Sequence, residues 1–170
     1  MKVDEAACML VDCFRKGGKV LLCGNGGSAA EASHFAGELM GFFADRARPG
    51  LPAINLAADP AVVTAIANDA GFGRVFERQV ETLGEEGDVL IAISTSGRSE
   101  NIARAVIAAY AREMRVIALT CDMGGELATL TPFVLASPSS ETPEGQEWHL
   151  RVLHDIARIV EAQMFPVGRA

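Results

Sequence analysis

The sequence lacks the features of a membrane protein or of a general nucleic-acid binder. Its 170 residues include 22 acidic and 15 basic side chains, a formal net charge of −7, so no basic surface can neutralise a phosphate backbone. No apolar run reaches the roughly 20 residues that a membrane-spanning helix needs. The first residues, MKVDEAACMLVDCF, are interrupted by acids and predict an amphipathic helix rather than a signal peptide. We therefore expect a cytoplasmic protein with neither nucleic acid nor a membrane among its partners.

Cysteine is scarce as well. The four cysteines are Cys8, Cys13, Cys23 and Cys121, and they lack the paired spacing that is typical of a cysteine zinc site. They lie within apolar segments, so we expect reduced, buried thiols. The single tryptophan, Trp148, fits helix packing better than base stacking. The GxGxxG and P-loop patterns are both missing, so a nucleotide ligand is not indicated.

The chain does contain a regular alternation of apolar runs and helical segments. Strands are predicted at about residues 19–23, 53–56, 88–93, 115–120 and 133–136, and helices at 4–16, 28–43, 59–67, 74–83, 100–113, 125–130 and 146–164. Apolar strands separated by helices favour a parallel sheet that is covered on both faces. We therefore predict the α/β fold class, with a doubly wound, five-stranded parallel sheet flanked by helices, as one domain over residues 1–170.

Residues 23–28, CGNGGS, form a glycine-rich turn between the first strand and a helix. Glycines suit a tight turn that needs positive φ angles. Ser28, followed three residues later by Glu31, predicts a capping box at the start of the helix. The backbone N–H groups of such a helix start favour an anion.

A second strand-to-helix turn crowds four hydroxyl groups around a glycine. The hydroxyls of Ser94, Thr95, Ser96 and Ser99 suit a phosphate group, and open α/β sheets bind ligands at this carboxyl edge. The alternative is an ordinary turn in which Ser99 caps the next helix. The presence of two such turns favours a ligand.

His34 and Glu38 lie four residues apart, on one face of a helix. Alone, such a pair is usually a solvated surface contact. On the last helix, Gln146 and His154 share a broadly common face, whereas His149 is about 140° from His154 and is expected at the surface or in helix packing. If the two helices meet, their side chains form one site with ligand types that suit zinc or a related divalent ion. The same site supplies a carboxylate and an imidazole for proton transfer. Its members are His34, Glu38, Gln146 and His154. Spacing does not decide between these roles.

Other polar residues are weaker candidates. Asn68 and Asp69 end a predicted helix, where turn chemistry is the simpler interpretation. Arg46, Arg48 and Arg98 could contact a phosphate or sugar hydroxyls, although arginines near surface loops are common.

Several motifs in register resemble the phosphoheptose isomerase (sedoheptulose 7-phosphate isomerase) family of sugar isomerase, or SIS, domains. They are CGNGGS at 23–28, HFAGEL at 34–39, AND at 67–69, GDVLIAISTSGRS at 87–99 and QEWHLRVLH at 146–154. The resemblance covers nearly the whole chain. It implies a SIS-type, flavodoxin-like α/β/α sandwich that interconverts sedoheptulose 7-phosphate and D-glycero-D-manno-heptose 7-phosphate through an enediol, in bacterial heptose biosynthesis.

The resemblance also implies roles for individual residues. Glu38 and His154 match the acid/base pair. The substrate-binding positions are Asn25, Gly26, Gly27, Glu38, Asn68, Asp69, Ser94, Thr95, Ser96, Ser99 and Gln146. The ligands of one zinc ion per site are His34, Glu38, Gln146 and His154. The expected assembly is a homo-oligomer, namely a tetramer whose sites are often completed by a neighbour's residues.

The sequence departs from the family pattern in three places, one of which is Gly37, where the family often has Glu or Ala. Only about one helix precedes the first strand, where the family carries an additional helical segment that packs in the tetramer. Phe42 or Phe43 replaces an arginine that the family often places after its HFAEEL segment, so Arg46 or Arg48 is the candidate replacement, or the contact is absent.

Two alternatives to catalysis belong to the same fold. One is a non-catalytic SIS protein that binds a replication initiator, of the DnaA-associating type, which lacks the residues equivalent to Glu38 and His154. The other is a sugar-phosphate sensor, which would need only the serine-rich turn. Retention of the whole set of residues favours the enzyme.

Overall fold

The computed structural model describes residues 2–121 and 124–166. Five apolar runs form one parallel sheet, with strands β1 (Val20–Gly24), β2 (Ala53–Asn55), β3 (Val89–Ile93), β4 (Arg115–Cys121) and β5 (Val134–Ser137). The strands lie in the order β2-β1-β3-β4-β5. The chain therefore moves outward from β1 to β2 and then returns to the other side of β1. The predicted doubly wound, five-stranded parallel sheet is confirmed.

Helices cover both faces of the sheet. They are α1 (Lys2–Arg15), α2 (Gly27–Met40), α3 (Pro60–Ala70), α4 (Glu77–Leu83), α5 (Glu100–Ala111), α6 (Leu127–Leu130) and α7 (Thr142–Met164). Alternate residues along a strand face opposite layers, so Leu22 packs with α1, α2 and α7 while Leu21 packs with α4 and α5. Two apolar cores result, and the layer of α1, α2 and α7 carries the histidines. None of the helices in the described ranges has both the length and the hydropathy to cross a bilayer.

The predicted capping box is wrong. Helix α2 begins at Gly27, its N-cap is Gly26 with a φ of 56°, and no side chain caps it. Ser28 and Glu31 are instead buried. The positive φ that glycine permits turns the chain into the helix without side-chain help, and Glu31 then faces helix α7.

The prediction for the cysteines holds at three of four positions. Cys13, Cys23 and Cys121 are buried, whereas Cys8 is exposed, because it lies on a face of α1 that turns away from the core. Burial raises the pKa of the Cys13 thiol to about 11 and that of Cys23 to about 12. Both of these thiols are therefore protonated at neutral pH.

Candidate active site

Two glycine-containing turns leave the sheet side by side at its carboxyl edge. Strands β1 and β3 are paired in register, so Gly24 lies beside Ile93. Residues 25–27 follow the first strand and residues 94–99 follow the second. From β1 the chain continues to β2 on one side of the sheet, and it then returns to β3 on the other side of β1. A crevice therefore opens at the carboxyl ends of β1 and β3, where open α/β sheets bind ligands.

The serine-rich turn encloses a small polar cavity. Its volume is about 90 Å³, and it is lined by Asn25, Ser28, Ile93, Ser94, Thr95, Ser96 and Ser99. Ser99 occupies the N-cap position of α5, but its side chain makes no capping hydrogen bond. Its hydroxyl lies 3.2 Å from the hydroxyl of Ser94. The simple capping interpretation therefore does not describe Ser99, and the hydroxyls face a shared space.

Backbone contacts hold this turn in place. The N–H of Cys121 donates to the carbonyl of Thr95, and the N–H of Leu127 donates to the carbonyl of Gly97, both at 3.0 Å. Gly97 has a φ of 61°, and a Cβ at this position would overlap the carbonyl oxygen of Gly124. Only glycine fits this close approach.

Asn101 is a site residue that the sequence motifs did not single out. It is buried on the first turn of α5, and its carboxamide exchanges two hydrogen bonds of 2.9 Å with the carboxamide of Asn25. This contact joins the two turns. A signal was present, since Asn101 follows the serine-rich turn by two residues, but only the fold brings it to Asn25.

Helices α2 and α7 bring three of the four candidate ligands together. Oε1 of Glu38 lies 3.0 Å from Nε2 of His34 and 3.1 Å from Nε2 of His154. The two imidazole nitrogens are 2.8 Å apart. The side chain of Glu38 is 13% exposed, whereas those of His34 and His154 are 48% and 40% exposed. A shielded carboxylate thus meets two imidazoles that solvent or substrate can reach.

The donor set of this cluster fits a divalent metal ion. Two imidazole nitrogens and a carboxylate oxygen are ligand types that zinc accepts, and these atoms lie within 4.8 Å of one another. Oε2 of Glu38 is buried and makes no hydrogen bond within the described residues. It is therefore free to bind an ion or a proton.

Gln146 and the pair Asn68–Asp69 do not join this cluster within one chain. The carboxamide of Gln146 packs on Gly27, where a Cβ would overlap it. Asn68 and Asp69 are exposed in the last turn of α3, where Asn68 donates a 2.8 Å hydrogen bond to Asp69. In the part of the chain that the structure describes, no hydrogen bond joins these three residues to His34, Glu38 or His154.

Arg48, one of the two candidates for the family's arginine, makes structural contacts. It is 5% exposed. Its guanidinium group bonds to Glu161 at 2.6 Å and to the carbonyl oxygens of Glu38 and Leu39 at the end of α2. Arg46 and Arg98 are exposed.

Glu161 is held as a carboxylate by this contact. Burial acts to raise its pKa, but the hydrogen bonds from Arg48 and from the N–H groups of Ala44 and Asp45 act in the opposite direction. The net result is a pKa below the ordinary value for Glu161.

His149 points away from His154, as the helical spacing predicts. It is fully buried rather than at the surface, and its Nε2 lies 2.9 Å from the carbonyl oxygen of Thr120.

Comparisons with known proteins agree with the resemblance. The family model of the SIS domain matches residues 1–121. The phosphoheptose isomerase of Thiobacillus denitrificans is 46% identical over 169 residues, which cover 98% of this chain and 85% of that protein. The structure of a phosphoheptose isomerase from Francisella tularensis has a TM-score of 0.91 at 43% identity, over 94% of this chain and 84% of that one. The phosphoheptose isomerase GmhA from Neisseria gonorrhoeae has a TM-score of 0.89 at 42% identity, over 95% and 85% of the two chains.

An identity of 42–46% over nearly the whole length, together with a shared fold, confirms the family that the motifs resemble. This chain therefore belongs to the phosphoheptose isomerase family of SIS domains.

Proposed function

We propose that this protein is an aldose–ketose isomerase that converts sedoheptulose 7-phosphate to D-glycero-D-manno-heptose 7-phosphate in bacterial heptose biosynthesis. The observation that carries the proposal is the contact between Glu38 and His154, in a chain whose relatives are phosphoheptose isomerases. A carboxylate beside an imidazole is a suitable pair for moving one proton between carbons and another between oxygens.

Glu38 takes the carbon-bound proton from one of the two neighbouring carbons and returns it to the other. The electron pair of the broken C–H bond stays on carbon and forms the double bond of the enediol, while the carbonyl oxygen takes up a proton. When the neighbouring hydroxyl loses its proton and the first proton returns to the other carbon, the product carbonyl forms. His154 transfers the proton on oxygen or assists ring opening. The side chain of Glu38 is mostly buried. Few water molecules can then exchange with the proton that it has taken from the substrate, so it can return that proton to the neighbouring carbon.

His34, Glu38, Gln146 and His154 would hold one zinc ion. When bound, such an ion would polarise the carbonyl group of the sugar. The converging nitrogen and oxygen atoms of His34, Glu38 and His154 support this assignment.

The serine-rich turn would bind the phosphate group. Ser94, Thr95, Ser96 and Ser99 offer hydroxyl donors around the 90 Å³ cavity, and Asn25 lines the same cavity. Asn25, Gly26 and Gly27 would then hold sugar hydroxyls, with Asn101 fixing the orientation of Asn25.

We further propose a cytoplasmic homo-oligomer, expected to be a tetramer, in which one copy completes the site of another. Gln146 precedes His154 by eight residues of α7, which separates the two backbones by about 12 Å at 1.5 Å per residue. A neighbour's Gln146, Asn68 or Asp69 could reach the cluster instead. Helix α3, which carries the last two, buries none of its residues in the single chain.

Exposed apolar side chains support a neighbouring copy at this place. Ile54, Val62 and Phe72 are 38%, 38% and 57% exposed around α3. A neighbouring copy that packs on α3 would remove these side chains from water, which is favourable. Size-exclusion chromatography with light scattering tests the assembly, and a fully active monomer would contradict it.

The activity is tested by incubating the protein with sedoheptulose 7-phosphate and following aldose formation, with and without a chelator. We expect conversion, with a lower rate after chelation. Absence of conversion under both conditions would reject the isomerase assignment.

A further inference from the structure

A second carboxylate–imidazole pair lies between α2 and α7 and has no part in the proposed chemistry. Glu31 and His149 are 3% and 0% exposed. Thr120 on strand β4, which contacts His149, is 0% exposed. Nδ1 of His149 is 3.5 Å from Oε2 of Glu31. Both residues belong to the helices that carry Glu38 and His154.

The contacts of His149 determine where its protons must be. Its Nε2 is 2.9 Å from the carbonyl oxygen of Thr120. A carbonyl oxygen can only accept, so Nε2 carries a hydrogen. If Nδ1 were bare and Glu31 ionised, two acceptors would face each other in a buried site. One further proton therefore belongs between Nδ1 and the carboxylate, whichever atom holds it, and the pair has no net charge.

The polar atoms around this proton have few other hydrogen-bond partners. Both oxygens of Glu31, Nδ1 of His149 and Oγ1 of Thr120 are buried and make no hydrogen bond within the described residues. Buried polar atoms without partners are rare in folded proteins. A proton bridge between Glu31 and His149 would satisfy two of these four atoms.

We propose that Glu31 and His149 are positioning residues, which form a one-proton bridge that sets α7 against α2 and so fixes the approach of His154 to Glu38. Glu31 and Glu38 are seven residues apart, hence two turns apart on one face of α2. On α7 the two histidines point in different directions, yet each contacts one of these carboxylates, Glu31 with His149 and Glu38 with His154. A shift of α7 that opens one contact therefore also displaces the other. This inference rests on the proposed roles of Glu38 and His154.

The decisive comparison is between Glu31→Leu and Glu31→Gln. Leucine removes the bridge, whereas the glutamine amide has a similar shape and can donate a permanent hydrogen to Nδ1. Loss of a group that orients a site residue typically lowers activity about 10- to 100-fold. We expect that loss in kcat for Glu31→Leu with little change in KM, because the serine-rich turn is untouched. Glu31→Gln should recover most of kcat.

Asp88 provides a matched control for a purely structural effect. It is 1% exposed and pairs with Lys19 at 2.7 Å, before the amino end of β3 and thus at the opposite edge of the sheet. Asp88→Asn should lower the melting temperature and leave kcat unchanged. If Glu31→Leu keeps wild-type kcat, or if Glu31→Gln is as impaired as Glu31→Leu, the positioning role is rejected.

A measurement on the unaltered protein covers the case in which Glu31→Leu does not fold. The chain has three histidines, so nitrogen-15 NMR can resolve each ring. We expect a slowly exchanging Nε2 proton on His149 and a second proton shared at its Nδ1. An Nε2 without a proton would overturn the bridge. Failure of the isomerase assignment is separate, since the unaltered protein would then form no aldose from sedoheptulose 7-phosphate.

Discussion

Two polar regions join α7 to α2 and to the loop that follows α2, and they differ in how completely their polar atoms are paired. Between Arg48 and Glu161, both oxygens of the carboxylate accept hydrogen bonds, and the guanidinium group also donates to backbone carbonyls. In the α2–α7 seam, which we define as Glu31, Glu38, His149 and His154, several buried atoms have no hydrogen-bond partner among the described residues. The saturated contact is suited to holding the fold. In the seam, Glu31 and His149 can share a proton, whereas Glu38 and His154 can accept a metal ion or a substrate.

The largest expected effect is on kcat, when glutamate is replaced by glutamine at Glu38 in the seam and, for comparison, at Glu161 in the saturated contact. Glu38→Gln should lower kcat about 10³-fold, because the amide cannot act as a base. Binding of the sugar phosphate should stay measurable by calorimetry. The same change at Glu161 should reduce stability but leave kcat within a few-fold of wild type. Equal losses of kcat in both variants would erase the functional distinction between the regions.

Disruption of the saturated contact should mainly affect stability. Arg48→Met leaves the carboxylate of Glu161 without its charged partner, and removal of one partner from a buried pair costs about 3 kcal/mol or more. Urea unfolding measures the change. A loss below about 1 kcal/mol, as found for exposed pairs, would mean that this contact contributes little to the fold.

Metal binding should stabilise the protein through the seam and not through the Arg48–Glu161 contact. A ligand at 100 times its dissociation constant stabilises a protein by about 2.7 kcal/mol. Added zinc should therefore raise the melting temperature of the wild-type protein, and His34→Ala should abolish most of that increase. Cys8→Ser serves as the control, because this exposed thiol lies on α1. A similar zinc response in the His34 variant would reject the cluster as the metal site.

The contact between the two turns predicts a smaller effect. Asn101→Leu removes both hydrogen bonds to Asn25, and hydrogen bonds of this kind contribute about 1 kcal/mol each. Together these bonds correspond to about 2 kcal/mol, so we expect KM to rise by up to roughly 30-fold, with a weaker effect on kcat, in steady-state assays. An unchanged KM would show that Asn25 does not need Asn101 to bind substrate.

Acid should reveal the saturated contact through a still smaller effect. The pKa of Glu161 is lower in the folded protein than its ordinary value, so the stability it contributes is present above about pH 4.3 and is lost as pH falls through the folded pKa. As pH falls below about 4.3, the free energy of unfolding should therefore fall more steeply in wild type than in Glu161→Gln. Identical slopes would contradict the assigned shift.

The regular elements were predictable because their signals are local. The apolar run at 88–93 predicts a buried strand, and β3 occupies 89–93 of it. Helix α7 begins at Thr142, four residues earlier than predicted. Proline is common in the first turn of a helix, so Pro143 fits this start, but the polar residues 142–146 carry no apolar periodicity that would predict a helix. The strand-to-helix turns were found for the same reason, since glycine and serine cluster there in the sequence.

The errors and omissions all concern partners that lie on other elements. Ser28 and Glu31 have the spacing of a capping box, yet Glu31 is turned toward His149 on α7. Arg48 was one candidate for a ligand contact, and the sequence did not indicate its contact with Glu161, which is 113 residues away. Asn101 was missed since its partner Asn25 is 76 residues away.

The sequence by itself determined the order of strands and helices, the family and the types of residue at the site, because apolar periodicity and contiguous motifs depend on neighbours along the chain. Only the tertiary structure decided which carboxylate meets which imidazole: Glu38 joins His34 and His154, and Glu31 faces His149. The physical reason is that the surroundings of a side chain depend on helices and strands that pack from distant parts of the chain, which no local pattern specifies.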